Sequence, residues 1–463
     1  MALAPSLLLI LGSPVQWLLD RLGFRASRFV PISVALLATL AVILLVPAAT
    51  PAALWQPEEL FGPGFEFRLD DTSWPFAFLA TSMLVAALLR QESRFAPLHL
   101  LTWGLGIAAI LASNVLTSAV LWTTLTGAEA TICLKGNAKL EYLLLRIWSH
   151  TAAVVLILGF ALARAGTQLA LGGTLLAAAV VLRTPTITPG DLESRASPDA
   201  RLAWLSALVA LSTASRQVTT VEGFPGLIAI GGLGLLLSIA IWVARPSILW
   251  PLPLGLVCVC LLMAGLSAGE AWRGLATAAA IGAVGAGLLL YGSRWWGARK
   301  WAAALAIGLL PLAFSSLSPW SLDRIVATLA VAALVTGILG LPDQDTGLRR
   351  QESAFLGLIV VVATAVYVVV RTGIAPDGVL AGAVGVGLGV LGAIGIERLR
   401  ERLDITRLLG EELVGLRKSL RSLWAAVALA IRSVTGLLEG QSAVLWMFLA
   451  LLPAAIVIRS GSG

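Results

Sequence analysis

The chain is written in apolar runs of about 17 to 22 residues, the length an α-helix needs to cross a bilayer's hydrocarbon at about 1.5 Å of rise per residue. Stretches such as SVALLATLAVILLV are apolar on every face, whereas a membrane β-barrel would show alternating segments of about ten residues. A soluble chain carries about 25% charged residues; this one carries 12%, with 58% hydrophobic residues and a mean hydropathy of +0.93. The sequence therefore predicts an all-α, polytopic integral membrane protein with about 14 to 16 transmembrane helices. Leu3 to Leu19 and Leu202 to Ser215 are the weakest of its candidate spans.

Charge placement sets the topology. With the N-terminus outside and every span crossing, about 25 of the 32 Lys and Arg residues fall on the cytoplasmic side, which is the positive-inside asymmetry. The net charge of +7 is thus topological rather than a nucleic-acid signal. A multi-pass protein of the cell inner (plasma) membrane is expected, both termini outside. Leu3 to Leu19 has no basic residue ahead of it, unlike a signal peptide. The outside loop Ala49 to Thr72 is acidic, through Glu58, Glu59, Glu66, Asp70 and Asp71, and reads as an exposed cap.

Three units follow from this pattern. Residues 1–396 form the helix bundle, residues 397–440 a cytoplasmic amphipathic segment, and residues 441–463 a final transmembrane helix. In the middle unit Leu399, Leu403, Leu409, Leu413, Leu416, Leu420, Trp424, Val427 and Ile431 recur at helical spacing among charges, a pattern for lying on the membrane or binding a partner. Arg398, Arg402, Arg417 and Lys418 are its partner-binding candidates.

Most chemistry-bearing motifs are missing. Cys133, Cys258 and Cys260 lie in apolar runs and match neither a zinc pair nor a redox CxxC. The two histidines, His99 and His150, cannot build a His-rich centre, so no metal and no cofactor is expected. GLGVLG, Gly387 to Gly392, fits GxGxxG but lies inside an apolar run with no strand before it, which suits close helix packing rather than a dinucleotide. No self-contained catalytic site emerges.

Three stretches carry a resemblance. FEFRLDDTSWPFAFLATSMLVAALL, Phe65 to Leu89, resembles the third-helix entry of the antiporter-like membrane subunits of respiratory complex I, a family that includes multi-subunit cation/proton antiporters and membrane-bound hydrogenases and whose pattern runs F-x-x-x-L-D-x-x-S-x-P-F; Leu69, Asp70, Ser73, Pro75 and Phe76 fit it. GLGIAAILASNVLTSAVLWTTLTGAEA, Gly104 to Ala130, is similar to the family's next two helices through Asn114, Leu116, Thr117 and Trp122. Asp70, Ser73 and Trp122 are thereby structural motif positions. A third stretch, Ala179 to Arg216, aligns loosely through Pro189, Pro198, Leu205 and Arg216 where the family has a broken helix bearing a lysine. The resemblance is motif-based over roughly the first 130 residues and architectural after Tyr291.

Proton translocation in that family is thought to use a chain of carboxylates and amines near the midplane, because an ionisable group in hydrocarbon persists only where it pairs or carries ions. Here Thr123 stands where the family places its glutamate, and Arg183 is the only basic residue near the lysine's place. The remaining ion-path candidates are Thr123, Glu129, Arg146, His150 and Arg183. Arg146 and His150 share a face at i, i+4, so a Glu129 to Arg146 pair near the cytoplasmic surface is expected, with Arg183 an inside anchor.

The resemblance implies a divergent subunit of a proton- or cation-translocating respiratory complex, structural or coupling in role because the usual Glu and Lys are replaced. Its partners would be other membrane subunits, a cytoplasmic redox arm and the lipid bilayer. Two alternatives stand beside it: an active translocator using the rerouted groups, and an unrelated polytopic membrane enzyme with Asp70 and Asp71 as its candidates.

Overall fold

The computed structural model describes residues 2–24, 29–45, 52–55, 65–90, 96–135, 151–162, 169–184, 198–218, 225–244, 251–266, 271–291, 299–314, 322–340, 351–375 and 378–402. The first helices are α1 (Ala4–Arg21), α2 (Val30–Leu44), α3 (Trp74–Arg90), α4 (Ala96–Leu111) and α5 (Val115–Lys135). They are followed by α6 (Thr151–Leu162), α7 (Leu169–Arg183), α8 (Pro198–Val218), α9 (Pro225–Ala244) and α10 (Pro251–Leu266). The last are α11 (Ala271–Tyr291), α12 (Arg299–Gly308), α13 (Leu322–Leu339), α14 (Gln351–Thr372) and α15 (Val379–Arg402). Residues 136–150 and 403–463 lie outside the described residues, which takes in Arg146, His150, Arg417, Lys418 and the expected final span.

Local chemistry sets many of the boundaries. Pro5, Pro31, Pro75, Pro97, Pro198, Pro225 and Pro251 each stand in the first turn of a helix, where the missing N–H is no loss and the fixed φ is already helical. Gly373 closes α14 at φ +88°, its N–H returning to the Val369 carbonyl at 2.8 Å, a conformation that costs other residues a Cβ clash. The apolar run from Ala298 to Leu317 does not make one continuous helix. α12 stops at Gly308 and a short 3-10 turn, Leu310–Ala313, takes over, because Pro311 cannot donate into an α-helix and its ring collides with the preceding turn.

α8 is the axis of the bundle, packed against α3, α4, α7, α10 and α11. Around it α1 and α2 stack on α3 and α4, α9 joins α7 and α10, and α13 holds α12 and α15. α14, far away in sequence, closes the bundle by packing between α3 and α11. The outer faces of α1, α2, α14 and α15 show large aliphatic side chains, Leu11, Leu37, Val370 and Leu391 among them, as lipid demands.

The described part of the acidic stretch 49–72 is folded against the bundle rather than free. β1 (Ala52–Trp55) and β2 (Phe65–Phe67) pair antiparallel, a small addition to an otherwise helical chain. β2 leads Phe67 and Leu69 into the core, because this stretch alternates apolar and polar residues and can bury one face.

Helix contacts are close where glycine lets them be. A Cβ at Gly226 on α9 would lie 2.6 Å from the Thr174 backbone nitrogen on α7, so Gly226→Leu should force the pair apart at a cost of roughly 1–3 kcal/mol. At Gly387 on α15 nothing lies within 4 Å, so Gly387→Ala should be neutral or gain up to about 1 kcal/mol of helix propensity. Thermal unfolding midpoints in detergent would show the first falling and the second holding or rising.

Candidate functional site

Few ionisable side chains are buried among the described residues: Glu129, Arg183, Arg324 and the imidazole of His99, of which the first two meet. Arg183 reaches Glu129 with both terminal nitrogens, Nη2 to Oε1 at 3.1 Å and Nη1 to Oε2 at 3.3 Å. Ser206 donates its hydroxyl to Oε1 at 2.9 Å. Both charged side chains have 0% exposure, so the pair is desolvated and must be held by this bidentate geometry.

Each member arrives from a different helix. Glu129 is in the second half of α5, one stripe with Trp122 and Thr126 at i−7 and i−3, and all three are buried. Arg183 is the last residue of α7, which spans only fifteen residues. Pro185 follows Thr184 and biases it away from helical dihedrals, so α7 ends at the level of Ser206, close to the middle of α8. Thr184 ties its hydroxyl to the Val180 carbonyl at 2.8 Å. Arg183 Nε has no hydrogen-bond partner among the described residues.

One expectation is corrected here. Glu129 pairs with Arg183; Arg146, the partner expected from the sequence, lies outside the described residues. Arg183 is an interior residue and not a surface anchor, because the short α7 leaves its end inside the bundle. Thr123, which the resemblance aligns with a glutamate, faces outward with Thr124, and their hydroxyls turn back to the Ala119 and Val120 carbonyls at 3.0 and 2.9 Å. It takes no part in the ion pair. Ser206 went unrecognised in the sequence, since a serine in an apolar run carries no signal by itself. Arg398 is exposed on α15, and the side chain of Arg402 lies outside the described residues.

A second polar cluster lies at one rim of the bundle. Asp70 accepts from Thr72 Oγ1 at 2.7 Å and from Ser73 N and Oγ, both at 2.9 Å, the arrangement of a helix cap at the start of α3. Arg216, in the last turn of α8, donates Nη2 to the Arg68 carbonyl at 2.8 Å and to Asp70 Oδ1 at 3.4 Å. Asp71 meets Arg371 of α14 at 3.3 Å, and that guanidinium lies 4.4 Å from the Trp74 ring centre, a cation–π contact. The motif positions Asp70 and Ser73 are thus a cap, and both aspartates proposed for an enzyme site are held by arginines.

Burial pushes the Asp70 carboxyl up, but Arg216 and the hydrogen bonds from Thr72 and Ser73 outweigh it and leave it below its ordinary value of 3.8. A carboxylate depressed in the folded state contributes stability above its unfolded pKa and loses it as pH falls through the folded value. Asp70→Asn should therefore lower the thermal midpoint at neutral pH and narrow the gap to wild type under strong acid.

No protein-family model and no curated protein matches the sequence. The fold has counterparts. A chain in the structure of the Mrp complex from Dietzia sp. DQ12-45-1b aligns over 100% of this chain at 13% identity with a TM-score of 0.66, and this chain spans 63% of its length. A chain of the membrane-bound sulfane sulfur reductase, an archaeal respiratory membrane complex, matches 85% of this chain and 99% of its own at 13% identity and a TM-score of 0.50. A chain of respiratory complex I from Thermus thermophilus with bound aureothin matches 85% and 97% at 17% identity and a TM-score of 0.50. At such identities the fold is what is shared. It is the fold implied by the resemblance in the sequence: a polytopic bundle of the kind found in multi-subunit membrane complexes.

Removing one partner of a buried pair leaves an uncompensated charge, at about 3–5 kcal/mol, whereas removing both leaves none. Glu129→Gln and Arg183→Met should each destabilise strongly and the double variant less than their sum, a coupling that a double-mutant cycle on unfolding in detergent measures.

Proposed function

We propose that this protein is a divergent antiporter-like membrane subunit of a multi-subunit cation- or proton-translocating complex, and that its buried ion pair braces the bundle and couples it to neighbouring subunits rather than passing ions. What carries the reading is the Glu129–Arg183 pair, fully buried and bidentate. An arginine guanidinium keeps its proton in proteins, so it is a permanent counter-charge rather than a relay. Holding Glu129 by two parallel bonds and a serine opposes the release that a carrier carboxylate needs. The second half of the bundle, α9 to α15, buries Ser238, Thr277, Thr328 and Thr364 but no carboxylate among the described residues, which supports the same reading.

Membership of a complex rests on the likeness in fold to chains of three multi-subunit assemblies. Partner subunits would lie against the apolar outer faces, and Arg398, Arg402, Arg417 and Lys418 would meet a cytoplasmic partner such as a redox arm. The location is the cytoplasmic membrane with both termini outside.

Two measurements test this. The tagged chain, purified from its native membrane in mild detergent, should retain other membrane subunits identifiable by mass spectrometry; recovery alone would overturn the assembly. In membrane vesicles carrying the complex, the double variant Glu129→Gln with Arg183→Met should keep ion flux per assembled complex near wild type. Abolished flux with assembly intact would establish Glu129 as a carrier and overturn the brace.

A further inference from the structure

The stretch Phe65 to Trp74 touches far more of the bundle than a loop between two helices requires. At its start Glu66 donates its N–H to Thr117 Oγ1 on α5 at 3.2 Å, and its carboxylate accepts from Ser113 Oγ at 2.9 Å. Its carbonyl accepts from Ser113 N at 3.0 Å, and Arg68 N donates to the Leu111 carbonyl at the end of α4 at 2.8 Å. Arg68 and Asp70 hold Arg216 of α8, and Asp71 holds Arg371 of α14. Trp74 Nε1 donates to the Val42 carbonyl of α2 at 2.9 Å. Ten consecutive residues thus fasten the ends of α2, α4, α5, α8 and α14 at this rim.

Two of those helices also carry the buried centre. α5 is pinned at Thr117 and presents Glu129 twelve residues further on, about 18 Å along the helix, and α8 is pinned at Arg216 and presents Ser206 about 15 Å away. A helix is stiff over that distance, so its rotation and axial position at the rim set where its side chain points at the centre. α14 is pinned to the same stretch and contributes nothing to the centre. We propose that Asp70 and Arg216 are positioning residues for the Glu129–Ser206 contact: the rim clamp fixes the register of α8 against α5 and so sets the environment of the buried carboxylate. This rests on the geometry of the centre alone and holds whether Glu129 braces or carries.

The carboxylate stretch of Glu129 is the readout, assigned by infrared difference between the full-length wild type and Glu129→Gln in lipid nanodiscs. Asp70→Asn and Arg216→Ala should each shift or broaden that band, Arg216→Lys should restore much of the wild-type signal, and Asp71→Asn, which releases only α14, should leave it in place. If Asp70→Asn and Arg216→Ala leave the band unmoved, or if Asp71→Asn shifts it equally, the positioning role is wrong. Should Arg216→Ala fail to fold, the comparison of Asp70→Asn with Asp71→Asn decides it. None of these spectra depends on co-purifying subunits, so loss of the assembly reading would leave this one standing.

Discussion

A helix that carries Ser206, Ser212, Thr213, Ser215 and Arg216 cannot face hydrocarbon, because each hydroxyl and charge would have to be satisfied without water. That constraint on α8 organises the bundle. The only place for such a helix is inside, and α3, α4, α7, α10 and α11 surround it. Its hydroxyls then become contacts: Ser206 to Glu129, Ser212 to the Ile110 carbonyl at 3.2 Å, Thr213 back to Val209. The same helix meets charge at two levels, a fully desolvated pair in mid-bundle and a half-buried cluster at the rim.

The physics of the two levels differs. At the rim, Asp70 and Asp71 keep some access to water, so their pairs are modest and screened by salt. In mid-bundle, Glu129 and Arg183 have given up hydration altogether, and only a fork-to-fork geometry offsets that loss. Such a pair adds little net stability when intact and costs much when one partner is lost. It ties α5 to α7, while the close backbone packing of α5 is to α4.

How much of this was legible in the sequence follows from what each signal measures. Apolar run length reports burial in lipid, so helices such as α2 and α14 stood out at once. The weakest internal span, Leu202 to Ser215, turned out to be the central helix, weak because its surroundings are protein and not lipid. Glu129 and Arg183 were both visible as rare charges in apolar runs. Their pairing was not, since a sequence shows which residues are unusual but not how far α7 penetrates before Pro185 ends it. Family resemblance aligned a glutamate with Thr123, six residues from Glu129, and Thr123 lies on the exposed face of α5. At the rim, the pattern L-D-x-x-S-x-P-F marked a helix entry but not the cap that Asp70 and Ser73 build there, and the arginines that reach it from α8 and α14 lie too far along the chain for any local pattern to reveal.

The seam between α3 and α14 has a consequence in time. Ser82 of α3 accepts a hydrogen bond from the Thr364 hydroxyl at 2.8 Å, across 282 residues of chain. Around it Gly357 lies against Ala86 and Tyr367 against Trp74 and Phe78. At a synthesis rate of about 5–20 residues per second, α3 emerges roughly 15 to 60 s before the helix that completes it. During that interval the face of α3 around Ser82 must be covered by something other than its final neighbour, so the bundle stays open on that side until α14 has been made.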